Sequence, residues 1–449
     1  MNRWLSRYLG SGLIVLALAF LTGCQAVEWL KETGIRQTAS LSERYRMDAD
    51  QLAASDRKAE AILTYRQAVE ADPKNEKAQQ RLGSMYAEQG RKRLGLRYLN
   101  KAFALNGQSD AIKAEIEKIT TSLKSDTAPL TQVWQTAVGE SEPAGTALFG
   151  ERLAVSLRDG ILMVLNSQTG NAIWQIKQEG FSSGPALNDK YVVVGNEKKV
   201  FLFDIKSGAL VWKSEIGSPL YATPLLADSF VYCPGMDGVL YAIDIKDGTL
   251  RWSFKTGGSL VNQPVAAGKN LFFGSQDGRL YALEAESGQP FWAGGFVAQG
   301  TVESIPLVLD GRVYFGSNDS RVYALEEKSG GEFWRYSTSD NVYATPVMAG
   351  GRLFVVSTGQ SAAALNPLNG DVLWEVDTKN PVKETPLVYK NQLLFTCLGD
   401  PMLYAFDVSN GQLVWSLDTG DWAASGPLQE GENIILLGKD GTVTAYQLK

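Results

Sequence analysis

Eight tryptophans stand at near-constant spacing in the second two-thirds of the chain. They are Trp134, Trp174, Trp212, Trp252, Trp292, Trp334, Trp374 and Trp415, with gaps of 40, 38, 40, 40, 42, 40 and 41 residues. Fixed self-similarity near this period in strand-like sequence commits a chain to a repeat architecture, where each copy buries its apolar face on the next. One unit shows the local logic. QPVAAG reads as an inner strand and KNLFFGS as a second. Asp277-Gly278 supplies the hairpin, because Asp-Gly favours the positive-φ turn that matches strand twist. RLYALEA is the third strand, Ser287-Gly288 turns the chain, and QPFWAG is the outer strand. Each run alternates apolar residues with a period near two. Four short antiparallel strands make a blade, and blades repeated around an axis leave only short edges. The last unit, PLQEGENIILLGKDGTVTAYQLK, has three strands and no tryptophan; TQVWQTAV, residues 131–138, supplies the missing outer strand. The spacing therefore predicts a mainly β fold, an eight-bladed β-propeller over residues 130–449 closed by its N-terminal strand.

The pattern A-x-[DE]-x-x-[ST]-G-x-x-x-W occurs as Ala282, Glu284, Ser287, Gly288, Trp292 and as Ala324, Glu326, Ser329, Gly330, Trp334. Asp244, Gly248 and Trp252, then Asp407, Gly411 and Trp415, repeat most of it. This resembles the tryptophan-docking motif of quinoprotein-type (PQQ-like) propellers. There the outer-strand tryptophan packs against the turn of the neighbouring blade. The resemblance implies that all eight are structural blade-docking residues, each burying a large ring and giving its N–H to a backbone acceptor.

The chain begins MNRWLSRYLGSGLIVLALAFLTGC. Two arginines precede an apolar run too short to span a membrane, which has the length and flanks of a signal peptide over residues 1–23. Leu21-Thr22-Gly23-Cys24 resembles a bacterial lipobox, which implies cleavage before Cys24, acylation of Cys24 (palmitate or a similar chain) and a lasting membrane anchor. Gln25, rather than Asp, after the cysteine resembles an outer-membrane address. Residues 24–41 read as a lipidated tether and residues 42–125 as a helical module rich in Ala, Glu, Lys, Arg and Leu. Ala61, Tyr65, Ala68 and Pro73 recur after 34 residues as Gly95, Leu99, Ala102 and Gly107. Leu82, Gly83 and Tyr86 occupy earlier positions of the second unit. A helix–turn–helix period of this length with small residues at helix crossings resembles the tetratricopeptide repeat. The resemblance implies a groove for peptides or proteins; a spacer that holds the propeller off the membrane is the alternative.

Composition excludes several chemistries. The chain has 449 residues, 44% hydrophobic and 20% charged, with a net charge of −6 and no histidine. Histidine-based triads, general bases and metal sites are thereby absent. GFSSG at residues 180–184 fits G-x-S-x-G, but Ser182 has no histidine to activate it. Acidity gives no reason to expect a nucleic-acid partner. Cys233 and Cys397 lie in apolar runs and read as small core residues, without zinc or redox spacing.

Three functions fit a propeller of this kind. A PQQ-dependent dehydrogenase would need channel-facing ligands, for which Asn262, Glu303 and Glu384 are placed. The chain lacks the vicinal cysteines and long insertions of those enzymes, so these residues read as solvated channel lining, with no cofactor, no metal and no catalytic residue expected. Lipobox, export signal and compact PQQ-like propeller together resemble the BamB family, propeller lipoproteins of the β-barrel assembly machinery. That resemblance implies a non-enzymatic scaffold, lipid-anchored at the outer membrane and facing the periplasm, which aids assembly of β-barrel outer-membrane proteins. It also implies loop-face docking on a POTRA domain of the barrel-inserting subunit. The Ser-Leu-Arg-rich docking loop of that family has no match in QIKQEGFSSGP or KSEIGSPLYATP, and the helical module is extra. A protein-binding lipoprotein of another envelope system, for secretion or polysaccharide export, is the third function. The docking face expected is the one carrying the inter-blade loops and Asp-Gly hairpins. Trp422, the one tryptophan after residue 130 that is out of phase, is the first candidate anchor there. Phe181, Tyr221 and Tyr343 occupy comparable positions.

Overall fold

The computed structural model describes residues 41–449 apart from 89–91, 107–108, 125–128, 140, 228 and 379. The expected signal peptide, Cys24 and nearly all of the expected tether lie outside the described residues. The chain divides into two compact units at residues 126/127.

The first unit is helical. Helix α1 covers residues 41–54, α2 Lys58–Ala71, α3 Glu76–Glu88, α4 Lys92–Asn106 and α5 Asp110–Lys124. Its small residues sit where helices cross. A Cβ built on Gly83 of α3 would lie 2.9 Å from the Gly95 carbonyl oxygen, and one on Gly95 of α4 would lie 2.7 Å from that of Gly83. Only glycine at both places lets these backbones meet. Ala61, Tyr65, Ala68, Leu82, Leu99 and Ala102 are buried, as the 34-residue match requires. Asn75 ties three helices together. Its Oδ1 accepts the Ala78 amide at the start of α3, and its Nδ2 donates to the Ser42 hydroxyl, which itself donates to the Ala68 carbonyl at 2.7 Å. An unpaired N–H at a helix start costs stability, and this side chain removes one. Among the described residues no helix is long and apolar enough to cross a membrane.

The second unit is the eight-bladed propeller, each blade a four-stranded antiparallel sheet. Blade 3 is representative: Leu225–Ala227 innermost, then Phe230–Pro234, Val239–Asp244 and Leu250–Lys255 outermost. Blades 1 and 2 span Pro143–Lys177 and Ala186–Glu215; blades 4 to 7 span Val265–Val297, Leu307–Ser337, Val347–Asp377 and Leu387–Asp418. Blade 8 joins the two ends of the domain. Its outer strand is Leu130–Ala137, paired with the last strand Thr442–Leu448 from Leu130↔Leu448 to Ala137↔Thr442. No free edge is left at the closure.

The alternation expected of every strand holds only at the rim. Second and third strands are sandwiched between neighbouring blades, so both faces are buried and they read as continuous apolar runs, such as Val192-Val193-Val194. Outer strands alternate, and seven of them carry a β-bulge just before the tryptophan. In blade 3, Leu250 pairs with Ile243 and Trp252 with Ala242, leaving Arg251 as the extra residue. A bulge re-aims the next side chain. Here it turns each ring toward the next blade and leaves Val133, Ile173, Val211, Phe333, Leu373 and Val414 exposed beside it.

Blade 4 corrects one expectation. QPFWAG is not its outer strand: only Phe296–Val297 pairs there, with an isolated bridge from Leu283 to Pro290. Pro290 has no N–H to donate, and Gly294 and Gly295 both take positive φ, which breaks the ladder.

Candidate functional site

The propeller has two faces of different character. The turns joining third to outer strands lie on one. The hairpins joining second to third strands lie on the other, with the loops that pass from blade to blade.

On the turn face the tryptophans dock. Trp134, Trp174, Trp212, Trp252, Trp292, Trp334 and Trp374 donate Nε1–H to the carbonyls of Ser167, Ile205, Ile245, Ala285, Glu327, Pro367 and Val408, each in the next blade, at 2.8–3.2 Å. Each ring lies on a glycine of that turn. Gly248 has φ +73°, and a Cβ there would lie 2.9 Å from the Trp212 ring. The turn thus needs glycine twice over, for its left-handed backbone and for ring contact. Trp415 differs: blade 8 takes its outer strand from Leu130–Ala137 and so has no third-to-outer turn, and Trp415 donates instead to Gln392 Oε1 of its own blade at 2.9 Å.

On the hairpin face a second fastening appears. Tyr241, Tyr281, Tyr323 and Tyr404 donate their hydroxyls to Asp237, Asp277, Asp319 and Asp400, four residues earlier, at 2.5–2.7 Å. Three of these carboxylates also hold the segment leaving the preceding blade. Asp277 accepts the Gly257 amide, Asp319 the Gln299 amide and Asp400 the Asn380 side chain. Burial first, then the adjacent carboxylate, raises the Tyr241, Tyr281 and Tyr404 phenols above their ordinary range. The motif was visible in sequence as Asp followed by Tyr four residues on, but Asp-Gly was read only as a turn former.

The candidate residues of this face separate sharply. Phe181 is 2% exposed and packs among Val192, Val194, Phe201 and Phe203, so it offers no docking surface, and this corrects its assignment as a partner contact. Its equivalents four residues before the inner-strand prolines of blades 3 to 7, Leu220, Leu260, Val302, Val342 and Val382, are all buried. Tyr221, one residue after this position, is 47% exposed. Tyr343 is half-buried, accepts a hydrogen bond from Asn341 Nδ2 at 3.3 Å and has Lys383 Nζ 5.1 Å from its ring. Trp422 is also half-buried. Its carbonyl accepts the Lys439 amide of the blade 8 hairpin, and Lys439 Nζ lies 5.9 Å from the ring.

The polar residues placed near the channel are partly spoken for. Glu303 accepts from Gln276 Nε2 at 3.1 Å and from Thr301 Oγ1 at 3.0 Å. Burial raises the Glu384 carboxyl, with Lys383 and Lys439 opposing the shift. Asn262 is half-buried. The Ser182 hydroxyl donates to the Leu220 carbonyl at 2.6 Å, a structural role. Cys233 and Cys397 are buried free thiols, both raised by desolvation. Among the described residues no group of three or more Cys, Asp or Glu side chains converges to hold a metal ion.

Two pockets bear on the candidate sites. One of about 450 Å³ opens on the hairpin face between blades 1 and 3, lined by Arg158, Glu179, Lys198, Lys199 and Tyr221 among others. The basic residues there were not singled out from sequence; NEKK is the one hairpin without an Asp-Gly, Asp-Ser, Asp-Pro or Gly-Gln tip, and that departure was the available signal. The other, about 430 Å³, lies in the helical unit among Asp50, Lys58, Tyr65, Arg81 and Met85.

The sequence matches the family described as "Outer membrane protein assembly factor BamB" over residues 158–300, 255–375, 298–397 and 365–449, more than half of the chain. The chain belongs to the BamB family. BamB from Moraxella catarrhalis is similar in structure, with a TM-score of 0.64 at 21% identity, covering 71% of this chain and 98% of that one. The computationally designed Ika8 protein has a TM-score of 0.63 at 15% identity, covering 70% of this chain and 99% of that one. At such identities these neighbours speak for the propeller fold alone. A search of curated proteins returned no match. The BamB match begins inside blade 1, so the helical unit stands outside it.

Proposed function

We propose that the chain is a non-enzymatic scaffold of the outer membrane, anchored by lipid on Cys24 and facing the periplasm. It aids the assembly of β-barrel outer-membrane proteins by docking a partner, a POTRA-bearing barrel-assembly protein, on the hairpin face. The observation that carries the reading is the BamB family match across blades 2 to 8. The hairpin face supports it, because that is where exposed aromatic and charged side chains replace the regular fastening. Tyr221, Tyr343 and Trp422 are the proposed anchors, since rigid aromatic side chains bury much area at low entropic cost.

The helical unit favours a second reading. It resembles a tetratricopeptide-like module and carries a polar pocket of about 430 Å³. A protein-binding lipoprotein of a secretion or polysaccharide-export system would use it directly. Co-purification separates the two. The lipidated protein is extracted from membranes in mild detergent, with Cys24→Ser as control, and its companions are identified by mass spectrometry. A POTRA-bearing barrel protein among them upholds the first reading; components of another envelope system in its place replace it with the second.

A further inference from the structure

Blade 2 lacks the tyrosine–aspartate fastening of blades 3, 4, 5 and 7. Its strands Tyr191–Gly195 and Lys199–Asp204 are joined by Asn196, Glu197 and Lys198, with no aspartate at the tip. The tyrosine position holds Phe201, which has no hydroxyl and meets Phe181 edge-on at 6.0 Å. At this blade the surface opens into the pocket of about 450 Å³. Repeat sequences that depart from their own rule do so most often at functional positions.

Building on the docking reading above, we propose that this pocket receives an acidic segment of the partner protein. Its carboxylates lie among Arg158, Lys198 and Lys199, and an adjoining apolar side chain rests on Tyr221. Charge is the first argument. Other hairpin tips present Asp159, Asp237, Asp277, Asp319, Asp400 and Asp440, and the chain as a whole carries −6; the blade 2 tip alone carries two adjacent lysines, and the pocket sets three cations against Glu179 and Glu197. An anionic segment is steered to it and repelled elsewhere on the face.

The existing ion pairs do not block it. Lys199 meets Glu179 at 3.1 Å and Arg158 meets Glu142 at 3.5 Å, and both acids are exposed. Such pairs are nearly neutral in free energy, so an incoming carboxylate displaces them at little cost. Nor is the pocket made for a free phosphate. The Lys198 and Lys199 amides already donate to Asn196 Oδ1 at 2.9 and 2.8 Å, so they offer no cradle of backbone N–H groups. Recognition falls to long, mobile cations and one aromatic face, which suits an extended chain bearing carboxylates.

The test uses the full-length protein in detergent and a short fluorescein-labelled peptide of Glu-Gly-Leu repeats, read by anisotropy. The Lys-Gly-Leu peptide is the counterpart. Wild type is expected to bind the acidic peptide, more weakly as salt rises. Lys198→Glu with Lys199→Glu should weaken binding about tenfold or more, and Tyr221→Ala several-fold. Lys269→Glu, on the turn face, should change nothing, and all variants should keep the wild-type melting temperature. Equal binding of both peptides, displacement by inorganic phosphate, or full binding by the Lys198/Lys199 variant overturns the proposal. If the pocket fails while a barrel-assembly protein still co-purifies, the pocket alone is lost. If the peptide behaves as expected but no such protein co-purifies, the assembly reading alone is lost.

Discussion

On the turn face seven tryptophans donate to carbonyls of the next blade, and each rests on a glycine in the same conformation. On the hairpin face the tyrosine–aspartate pair occurs only in blades 3, 4, 5 and 7. Blades 1, 2, 6 and 8 place Met163, Phe201, Ala363 and Thr444 at the tyrosine position. The difference teaches which face the ring depends on. The rim junction is closed by a buried ring that each neighbour relies on. The hairpin fastening adds to junctions already closed, so it is free to lapse where another use is made of the surface.

That comparison can be tested by degree. The largest effect should come from Trp212→Ala, which empties a buried junction and should cost about 3–5 kcal/mol in a denaturant titration. A cost near that of a surface substitution would break the comparison. Gly248→Ala should follow, at about 2 kcal/mol, because it adds both a left-handed penalty and a methyl against the Trp212 ring. Tyr281→Phe should cost less, about 1.5 kcal/mol, for one hydrogen bond to a carboxylate. The same phenols give a pH signature. The folded state holds their protons more tightly than the unfolded chain, whose tyrosines titrate near pH 10. Their contribution is therefore complete below pH 10 and is lost as pH rises beyond it. Melting scans should show this alkaline loss, and Tyr281→Phe should reduce it. Trp422→Ala should leave the melting temperature unchanged and weaken partner capture. A fall in melting temperature with capture intact would make Trp422 a structural residue of blade 8.

Much of the fold was legible because one large residue was repeated at one period. Tryptophan spacing fixed the blade count, and the missing ring of the last unit pointed to Leu130–Ala137 as its outer strand. Blade 4 was misread because Pro290 and Gly294-Gly295 act on hydrogen bonds, which a hydrophobic pattern does not register. The site was less legible. Phe181 and Tyr221 are both aromatic, in similar loops, and differ by one position in the repeat; strand-like alternation sends one inward and the other outward. Aligning the units on their inner-strand prolines would have separated them. Arg158, Lys198 and Lys199 escaped notice because surface lysines and arginines are common singly, and only the blade-to-blade comparison makes their cluster unusual.

The pairing of Leu130 with Leu448 also has a meaning for how the protein is made. Every other strand of the propeller pairs within its own repeat, soon after synthesis. Within the propeller the clasp strand is made before every other strand and its partner after them, so their pairing is the one long-range strand pairing and waits for Thr442–Leu448. Until then Leu130–Ala137 has no partner and is an open template for another extended chain. A part-made propeller is thus a row of finished blades preceded by one unpaired strand, which only the last blade can take up.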